Sequence, residues 1–352
     1  MAKIRIAVLF GGATKDHKVS LVSAYSLLNG LSTEKYDITP IGITKAGRWL
    51  YFPGSFEEVK NGTWEMSGDC CSAIISPDPL HGGIITIMSD GSTAFKRVDV
   101  VMSVLHGKYG EGGRIQALLK LSKIPYVDCS PETAVFCMDK IMTHLILQSF
   151  GIGVPNYAIL ERSDMNIINE RIAEIEKKLK YPLYVSASSC SSSIGANQVN
   201  NAEEMKAAAK IAFSHHHTAI VEEDLSGRTI EIAVMGSSYE VETTVLGEIA
   251  KNHGINSAAA YTAEFKADPE LTDEQRNEII GTAKKVFRCL SFKGCAKMSF
   301  RLADEGRILL RRITPIPGFT PESSLLMLMR ESGYSYPEAV DKLIGLAIDV
   351  DA

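Results

Sequence analysis

Residues 4–12, IRIAVLFGG, decide the fold of this chain. The five residues from Ile6 to Phe10 are all apolar and lack polar alternation, which predicts a strand buried on both faces of a parallel sheet. Gly11 and Gly12 end the strand, and apolar residues at helical spacing predict a helix over residues 16–31. A strand, a glycine-rich turn and a helix in this order are typical of a doubly wound α/β domain.

The same order of elements continues as far as the glycine-rich loop KYGEGG and the helix and strand that follow it. We therefore expect a Rossmann-like first domain over residues 1–127. Helices and short strands, among them one helix over residues 134–150, predict a small α+β unit over residues 128–222. Further strands and a long helix predict a second α+β unit over residues 223–352, with a cleft between the two units.

Composition excludes several classes of function. A net charge of −5 argues against binding of nucleic acid through bulk positive charge. The seven cysteines lack metal-ligand spacing, which favours free thiols in a reducing compartment. The apolar run at the N-terminus is too short for a signal peptide or a membrane span, so we expect a cytoplasmic chain without a membrane association.

A serine-rich stretch interrupts the second unit. Residues 181–199, YPLYVSASSCSSSIGANQV, begin as a buried strand and then hold six serines within eight positions. Backbone N–H groups and hydroxyls of such a loop can bind an anion. The stretch contains neither lysine nor arginine, so a phosphate held there has no cation from the loop itself.

Several motifs together resemble the D-alanine–D-alanine ligase family in order and spacing. They are VLFGGATKDHKVSLVSA, SVLHGKYGEGGRIQALLKLSKIPYVDCS, CMDK, YPLYV with SSSIG, VEEDLSGR and PIPGFTPESS. The resemblance implies a Rossmann-like domain followed by a two-part ATP-grasp fold. The implied activity joins two D-amino acids for peptidoglycan precursors, with ATP and two Mg²⁺. The segment IGITKAGRW is most similar to D-alanine–D-serine ligases of the vancomycin-resistance type, and the family implies a homodimer.

The resemblance also implies roles for individual residues. Matching positions for catalysis are Tyr261, Lys297, Gly318 and Ser193. Matching positions for the nucleotide are Lys140, Ser192, Ser193, Gly195, Glu222, Glu223 and Leu225. His17 and Ser323 match positions that contact the amino-acid substrates. A solvated lysine and two surface acids are the ordinary alternatives for Lys140 and for the pair Glu222 and Glu223.

The side chains that hold magnesium in the family are replaced. Ser299 stands in place of an aspartate, Arg312 in place of a bridging glutamate and Thr314 in place of an asparagine. A guanidinium has no lone pair for a metal, so we expect no metal site, although the family uses Mg²⁺. Other departures are Lys18 for a glutamate that orients the first ammonium, Ser186 for a phosphate lysine, Thr229 for a ribose glutamate and Ala260 for a lysine of the lid loop.

Three hypotheses follow from these departures. In the first, the ligase fold is kept and ligase activity is lost or very weak. In the second, the chain is an active ligase whose rebuilt site uses Lys297 and Arg312 as fixed cations on the phosphates. In the third, the chain is a non-catalytic partner of an intact ligase. Small molecules, ATP and D-amino acids, are the expected ligands if the chain is active.

Overall fold

The predicted buried strand lies near one edge of the first sheet, between two parallel neighbours. In the computed structural model, which describes residues 2–189, 196–237, 240–249 and 264–351, it is β1 (Ile4–Gly11). β1 pairs in parallel with β2 (Tyr36–Ile43) and β7 (Val100–Ser103) on its two sides. Antiparallel strands extend the sheet beyond β2, in the order β3 (Trp49–Tyr51), β4 (Cys71–Ile75), β5 (Gly83–Ile87) and β6 (Thr93–Arg97). The sheet is therefore mixed, and the parallel strands at one end of it are the part that the sequence predicts.

The turn after β1 requires glycine. Gly11 has φ +88°, and a Cβ there would lie 2.2 Å from the carbonyl oxygen of Ile43. The Ser20 hydroxyl accepts from the Gly11 N–H at 2.7 Å and donates to the Val104 carbonyl at 2.6 Å, which ties the end of β1 to a helix and to the segment after β7. The helices of this part are α1 (His17–Gly30), α2 (Phe56–Asn61), α3 (Lys108–Glu111) and α4 (Arg114–Ser122).

A second sheet lies in the middle of the chain. Its strands are antiparallel in the order β10 (Asn197–Val199), β9 (Leu183–Ala187), β11 (Thr218–Glu223) and β8 (Tyr157–Glu161). Its core is covered by α7 (Ile168–Glu176) and α8 (Ala202–Phe213). We call this part the central sheet. The two preceding helices, α5 (Pro131–Met138) and α6 (Lys140–Ser149), bury Ala134 and Leu147 in a core formed with later strands of the chain.

The prediction of one helix over residues 134–150 is wrong. The chain is extended at Asp139, with φ −100° and ψ 109°, so α5 and α6 are separate helices. The Asp139 carboxylate accepts from the N–H groups of Ile141 and Met142 and so caps α6. The Lys140 N–H donates to the Ser188 carbonyl at 2.9 Å, which fixes the start of α6 against the end of β9.

A third sheet follows the central sheet. Its strands run in the order β15 (Phe265–Ala267), β14 (Gly247–Ile249), β12 (Gly227–Gly236), β16 (Gly294–Ala303) and β17 (Ile308–Thr314), and β13 (Val241–Thr243) pairs with β12. The helices are α9 (Asp273–Cys289), α10 (Ser324–Glu331) and α11 (Tyr336–Asp351). The register places Ser299 of β16 opposite Glu231 of β12 and opposite Arg312 of β17.

Two hydrophobic cores show how these parts are joined. One contains residues of the first sheet, such as Phe10, together with Ala233 of β12, Leu328 of α10 and Leu343 of α11. The central sheet has a core of its own, which extends in the sequence from Leu160 to Val221. None of the helices in the described residues is both long and apolar enough to span a membrane.

Candidate functional site

Four side chains converge where α6 faces the end of β9 and β11. The Lys140 ammonium donates to the Ser186 hydroxyl at 2.9 Å and to the Glu222 carboxylate at 3.1 Å. The Nε2 atom of His144, one turn along α6 from Lys140, lies 3.5 Å from the other oxygen of Glu222. Lys140 remains 37% exposed, whereas Glu222 and His144 are buried. The structure thus brings together Lys140, Ser186 and Glu222, which the sequence singles out separately.

Charge is balanced inside this cluster. Burial raises the pKa of Glu222, but Lys140, His144 and Arg311 together bring it below its ordinary value. Burial lowers the pKa of His144, and the nearby Glu222 opposes that effect only in part. Glu222 is therefore ionised and His144 neutral near pH 7, so the exposed part of Lys140 is the cationic surface that the cluster offers.

Glu223 points to different partners from Glu222. Its carboxylate accepts from the Asn156 N–H at 2.8 Å and from Arg307 at 3.2 Å. Leu225 lies half-buried in the connection between β11 and β12. The guanidinium of Arg311, on β17, lies over the ring of Tyr184 on β9 at 5.2 Å. The central and third sheets therefore face each other across these residues.

A second buried cluster lies on the third sheet. The Lys297 ammonium donates to both carboxylate oxygens of Glu231, at 2.7 and 2.8 Å, and to the Ser324 hydroxyl at 2.8 Å. The Ser299 hydroxyl also donates to Glu231, at 2.7 Å. Burial raises the pKa of Glu231, but Lys297 and the two serine hydroxyls bring it below its ordinary value. Lys297 is thus neutralised within the protein.

The neighbouring strand β17 carries the other replaced positions. Arg312 is exposed and forms no ion pair with the described residues, and Thr314 is half-buried opposite Lys297. Arg312 lies near enough to Glu111 to lower the pKa of that carboxyl, although burial raises it overall. Arg311, the residue before Arg312 on β17, is half-buried.

These residues do not fit a magnesium ion. Mg²⁺ requires carboxylate or other hard oxygen ligands in near-octahedral geometry. Ser299 uses its hydroxyl hydrogen on Glu231, both oxygens of Glu231 are taken by Lys297, and Arg312 adds a positive charge. Within the described ranges, the protein has no group of three His, Cys, Asp or Glu residues placed to hold a metal.

The remaining predicted residues lie around the two clusters. His17, at the start of α1, is buried and its Nδ1 donates to the Gly12 carbonyl at 2.8 Å, while Lys18 is exposed. Ser323 caps α10, and a Cβ at Gly318 would lie 3.7 Å from it. Thr229 is half-buried on β12. Five predicted positions lie outside the described residues: Ser192, Ser193, Gly195, Ala260 and Tyr261.

Three residues of the clusters are absent from the sequence-based predictions, namely Glu231, His144 and Ser324. Glu231 stands alone among apolar residues in TIEIAVM, and a single carboxylate inside a buried strand is a signal for a buried partner. His144 follows Lys140 by four residues, which places both on one face of a helix. Neither signal identifies the partner, because the partners lie on other strands.

The three sheets and the facing clusters define the fold of an ATP-grasp ligase. The family model described as D-ala D-ala ligase N-terminus matches residues 5–129, and D-ala D-ala ligase C-terminus matches residues 146–345. The chain therefore belongs to the D-alanine–D-alanine ligase family.

Individual relatives agree with this assignment over the whole chain. A D-alanine–D-alanine ligase of Acetivibrio thermocellus is 35% identical, over 98% of this chain and 96% of its own length. The vancomycin B-type resistance protein VanB of Enterococcus faecalis is 33% identical, over 99% of this chain and 100% of its own. The crystal structure of VanG D-Ala:D-Ser ligase from Enterococcus faecalis superposes with a TM-score of 0.86 at 31% identity, covering 98% and 100% of the two chains.

Proposed function

We propose that this chain keeps the ligase fold but has lost metal-dependent ligation of D-amino acids, or performs it only very weakly. The observation that carries the proposal is the pairing on β16 and β17, where Ser299 lies opposite Arg312 and donates to Glu231. In the family, acyl phosphate formation relies on Mg²⁺ to neutralise the transferred phosphoryl group. Here a hydroxyl, a guanidinium and a second hydroxyl stand at the corresponding positions.

The direct test is phosphate release from ATP with Mg²⁺ and either D-alanine or D-serine. The Acetivibrio thermocellus relative serves as the positive control under the same conditions. We expect phosphate release at least about 100-fold below the control, because loss of one electrostatic stabiliser typically costs 10²–10³ in rate. Turnover comparable to that of the control contradicts the proposal.

A reconstructed variant makes the test sharper. Ser186→Lys, Ser299→Asp, Arg312→Glu and Thr314→Asn together restore the residue types that the family uses, and metal-dependent nucleotide binding should return. The matched control carries Ser186→Lys alone, which adds the phosphate lysine without the metal ligands. If the fourfold variant binds nucleotide no better with Mg²⁺ than without it, the replaced positions are not the reason for the loss.

A second candidate function is nucleotide binding without a metal. Arg312 is exposed and without an ion pair in the described part of the chain, and an arginine can bind phosphate through two parallel hydrogen bonds. Lys297 is less suited to this role than the sequence suggests, because Glu231 already neutralises it. Calorimetry with ATP in excess EDTA tests the idea, and binding that requires Mg²⁺ contradicts it.

The proposal also covers the compartment in which the protein acts, its ligands and its oligomeric state. By analogy with the family, the chain acts in the cytoplasm on ATP and D-amino acids, or holds them without turnover, and forms a homodimer. The alternative role, a non-catalytic partner of an intact ligase, predicts a mixed dimer instead. Light scattering of the purified chain, followed by co-purification with an intact ligase from the same cell, distinguishes the two assemblies.

A further inference from the structure

Three lysines line one cavity at the carboxyl ends of β1 and β2. The cavity has a volume of about 570 Å³, and the residues around it are Ala13, Thr14, Lys15, His17, Lys18 and Lys45. β1 and β2 are parallel neighbours, and ligands of open α/β sheets bind outside the carboxyl ends of the strands. We call this cavity the lysine pocket.

The three ammonium groups have no counter-charge from the protein. Lys15, Lys18 and Lys45 form neither an ion pair nor a side-chain hydrogen bond with residues in the described ranges. Asp16 follows Lys15 in the chain, but it does not line the cavity and lies close enough to Glu111 to raise the pKa of that carboxyl. The pocket therefore concentrates positive charge in a chain whose net charge is −5.

The start of α1 adds to this charge. Asp16 precedes the helix but makes no side-chain hydrogen bond to its first turn, and the first turn contains no acidic residue. Lys18 instead places a cation where the helix dipole is already positive, which is unfavourable. A bound anion removes this repulsion and accepts from the free N–H groups of the first turn.

His17 supplies a directed polar group in the same cavity. The residue is 5% exposed, and its Nδ1 must carry the proton because it donates to the Gly12 carbonyl. The Nε2 atom has no partner among the described residues, and the ring lines the pocket. The Nε2 atom is therefore available as a hydrogen-bond acceptor to a ligand or water in the pocket.

We propose that the lysine pocket binds a small anion with two or more negative charges, a phosphate or a dicarboxylate, in place of an amino-acid ammonium group. Lys18 is decisive, because the family's glutamate at this position attracts an ammonium group and a lysine attracts the opposite charge. Lys15 and Lys45 complete a site with charges on more than one side of the ligand. The ligand class therefore differs from that of the ligases that the chain resembles.

Calorimetry with inorganic phosphate and with succinate tests the proposal on the full chain, without ATP or magnesium. We expect saturable binding of at least one probe, weakened about tenfold or more by Lys18→Glu and several-fold by Lys45→Gln, since a hydrogen bond to a charged group contributes about 1.5–3 kcal/mol. Lys206→Gln, which removes a lysine of α8 that does not line the pocket, is the control and should leave the affinity unchanged. Both positions in the pocket are exposed, so the variants are expected to fold, and melting temperatures check this.

The two probes separate the two sources of charge. Preference for phosphate assigns the pocket to phosphate esters, and preference for succinate assigns it to dicarboxylates. Absence of saturable binding in the millimolar range, or equal weakening by Lys206→Gln, overturns the proposal. Because neither ATP nor a metal is present, the result is independent of whether the chain ligates D-amino acids.

Discussion

Lys297 and Glu231 form a bidentate ion pair between neighbouring strands, with the ammonium 2.7 and 2.8 Å from the two carboxylate oxygens. The Ser299 hydroxyl donates to the same carboxylate. Ser299 is therefore part of a closed network with Lys297 and Glu231. A metal ion here would have to compete with an ammonium group that is already in position.

Breaking this pair should destabilise the protein strongly. Glu231→Gln leaves the Lys297 ammonium buried without its counter-charge, and we expect a loss of about 3 kcal/mol in the free energy of unfolding. Glu248→Gln is the matched control, since it breaks the more exposed pair with Arg228 in the same sheet and should cost about 1 kcal/mol or less. Urea denaturation measures both, and equal losses contradict the expectation.

Two substitutions at Ser299 should separate the effect of losing a hydrogen bond from the effect of adding a charge. Ser299→Ala removes one hydrogen bond to Glu231 and should cost about 1–2 kcal/mol. Ser299→Asp places a second carboxylate beside Glu231, so one of the two carboxyls must have a raised pKa. A carboxyl whose pKa is raised in the folded state contributes stability that is lost as pH rises. The free energy of unfolding of the aspartate variant should therefore fall increasingly below that of the alanine variant between about pH 5 and pH 8. Parallel curves of unfolding free energy against pH for the two variants contradict the prediction.

His106 should make the protein sensitive to mild acid. Burial lowers the pKa of His106 to about 4. The unfolded chain takes up this proton near pH 6.5 and the folded chain does not, so stability falls as pH drops from about 6.5 to about 4, by up to about 3 kcal/mol.

The comparison of two histidine variants isolates this effect. His106→Asn should flatten this part of the curve of unfolding free energy against pH, whatever its cost at neutral pH. His215→Asn changes an exposed histidine in a turn and should leave the wild-type slope in place. A slope that persists in His106→Asn assigns the acid sensitivity to other groups.

Two glycine substitutions should have opposite signs. A Cβ at Gly30, the last residue of α1, would lie 2.2 Å from the Tyr336 ring, so Gly30→Ala should cost about 1–3 kcal/mol through displacement of α11. Gly281, inside α9, has open space around its Cα, so Gly281→Ala should stabilise by roughly 0.5–1 kcal/mol. Thermal unfolding measures both, and a neutral Gly30→Ala argues against a tight contact between the first and last helices.

The sequence predicts the parallel part of the first sheet because β1 carries a local signal, an unbroken apolar run that ends in glycine. It does not reveal β3 to β6, since these strands are short and the outermost, TAFKR, is largely exposed. The break at Asp139 is also hidden, because apolar periodicity continues through it. The contact of the Lys140 N–H with Ser188, distant in sequence, fixes the break.

The sequence likewise predicts individual residues of the candidate site but not the contacts between them. Lys140, Ser186 and Glu222 are visible individually as positions that match or depart from family motifs. Their mutual contacts depend on strands that pair across more than thirty residues, which single positions do not encode. The sequence does not reveal the role of Glu231 for the same reason, because the register of β12 against β16 brings Glu231 opposite Ser299.

The last helix contributes to the core of the first sheet, and the Tyr36 hydroxyl donates to Asp341 of α11 at 2.6 Å. The first sheet and the last helix therefore share one interior, whereas the central sheet has an interior of its own. We expect any widening of the space between these two parts to proceed as a rotation of the smaller one. Such a rotation would have to break two contacts, the ion pair of Glu223 with Arg307 and the cation–π contact of Arg311 with Tyr184.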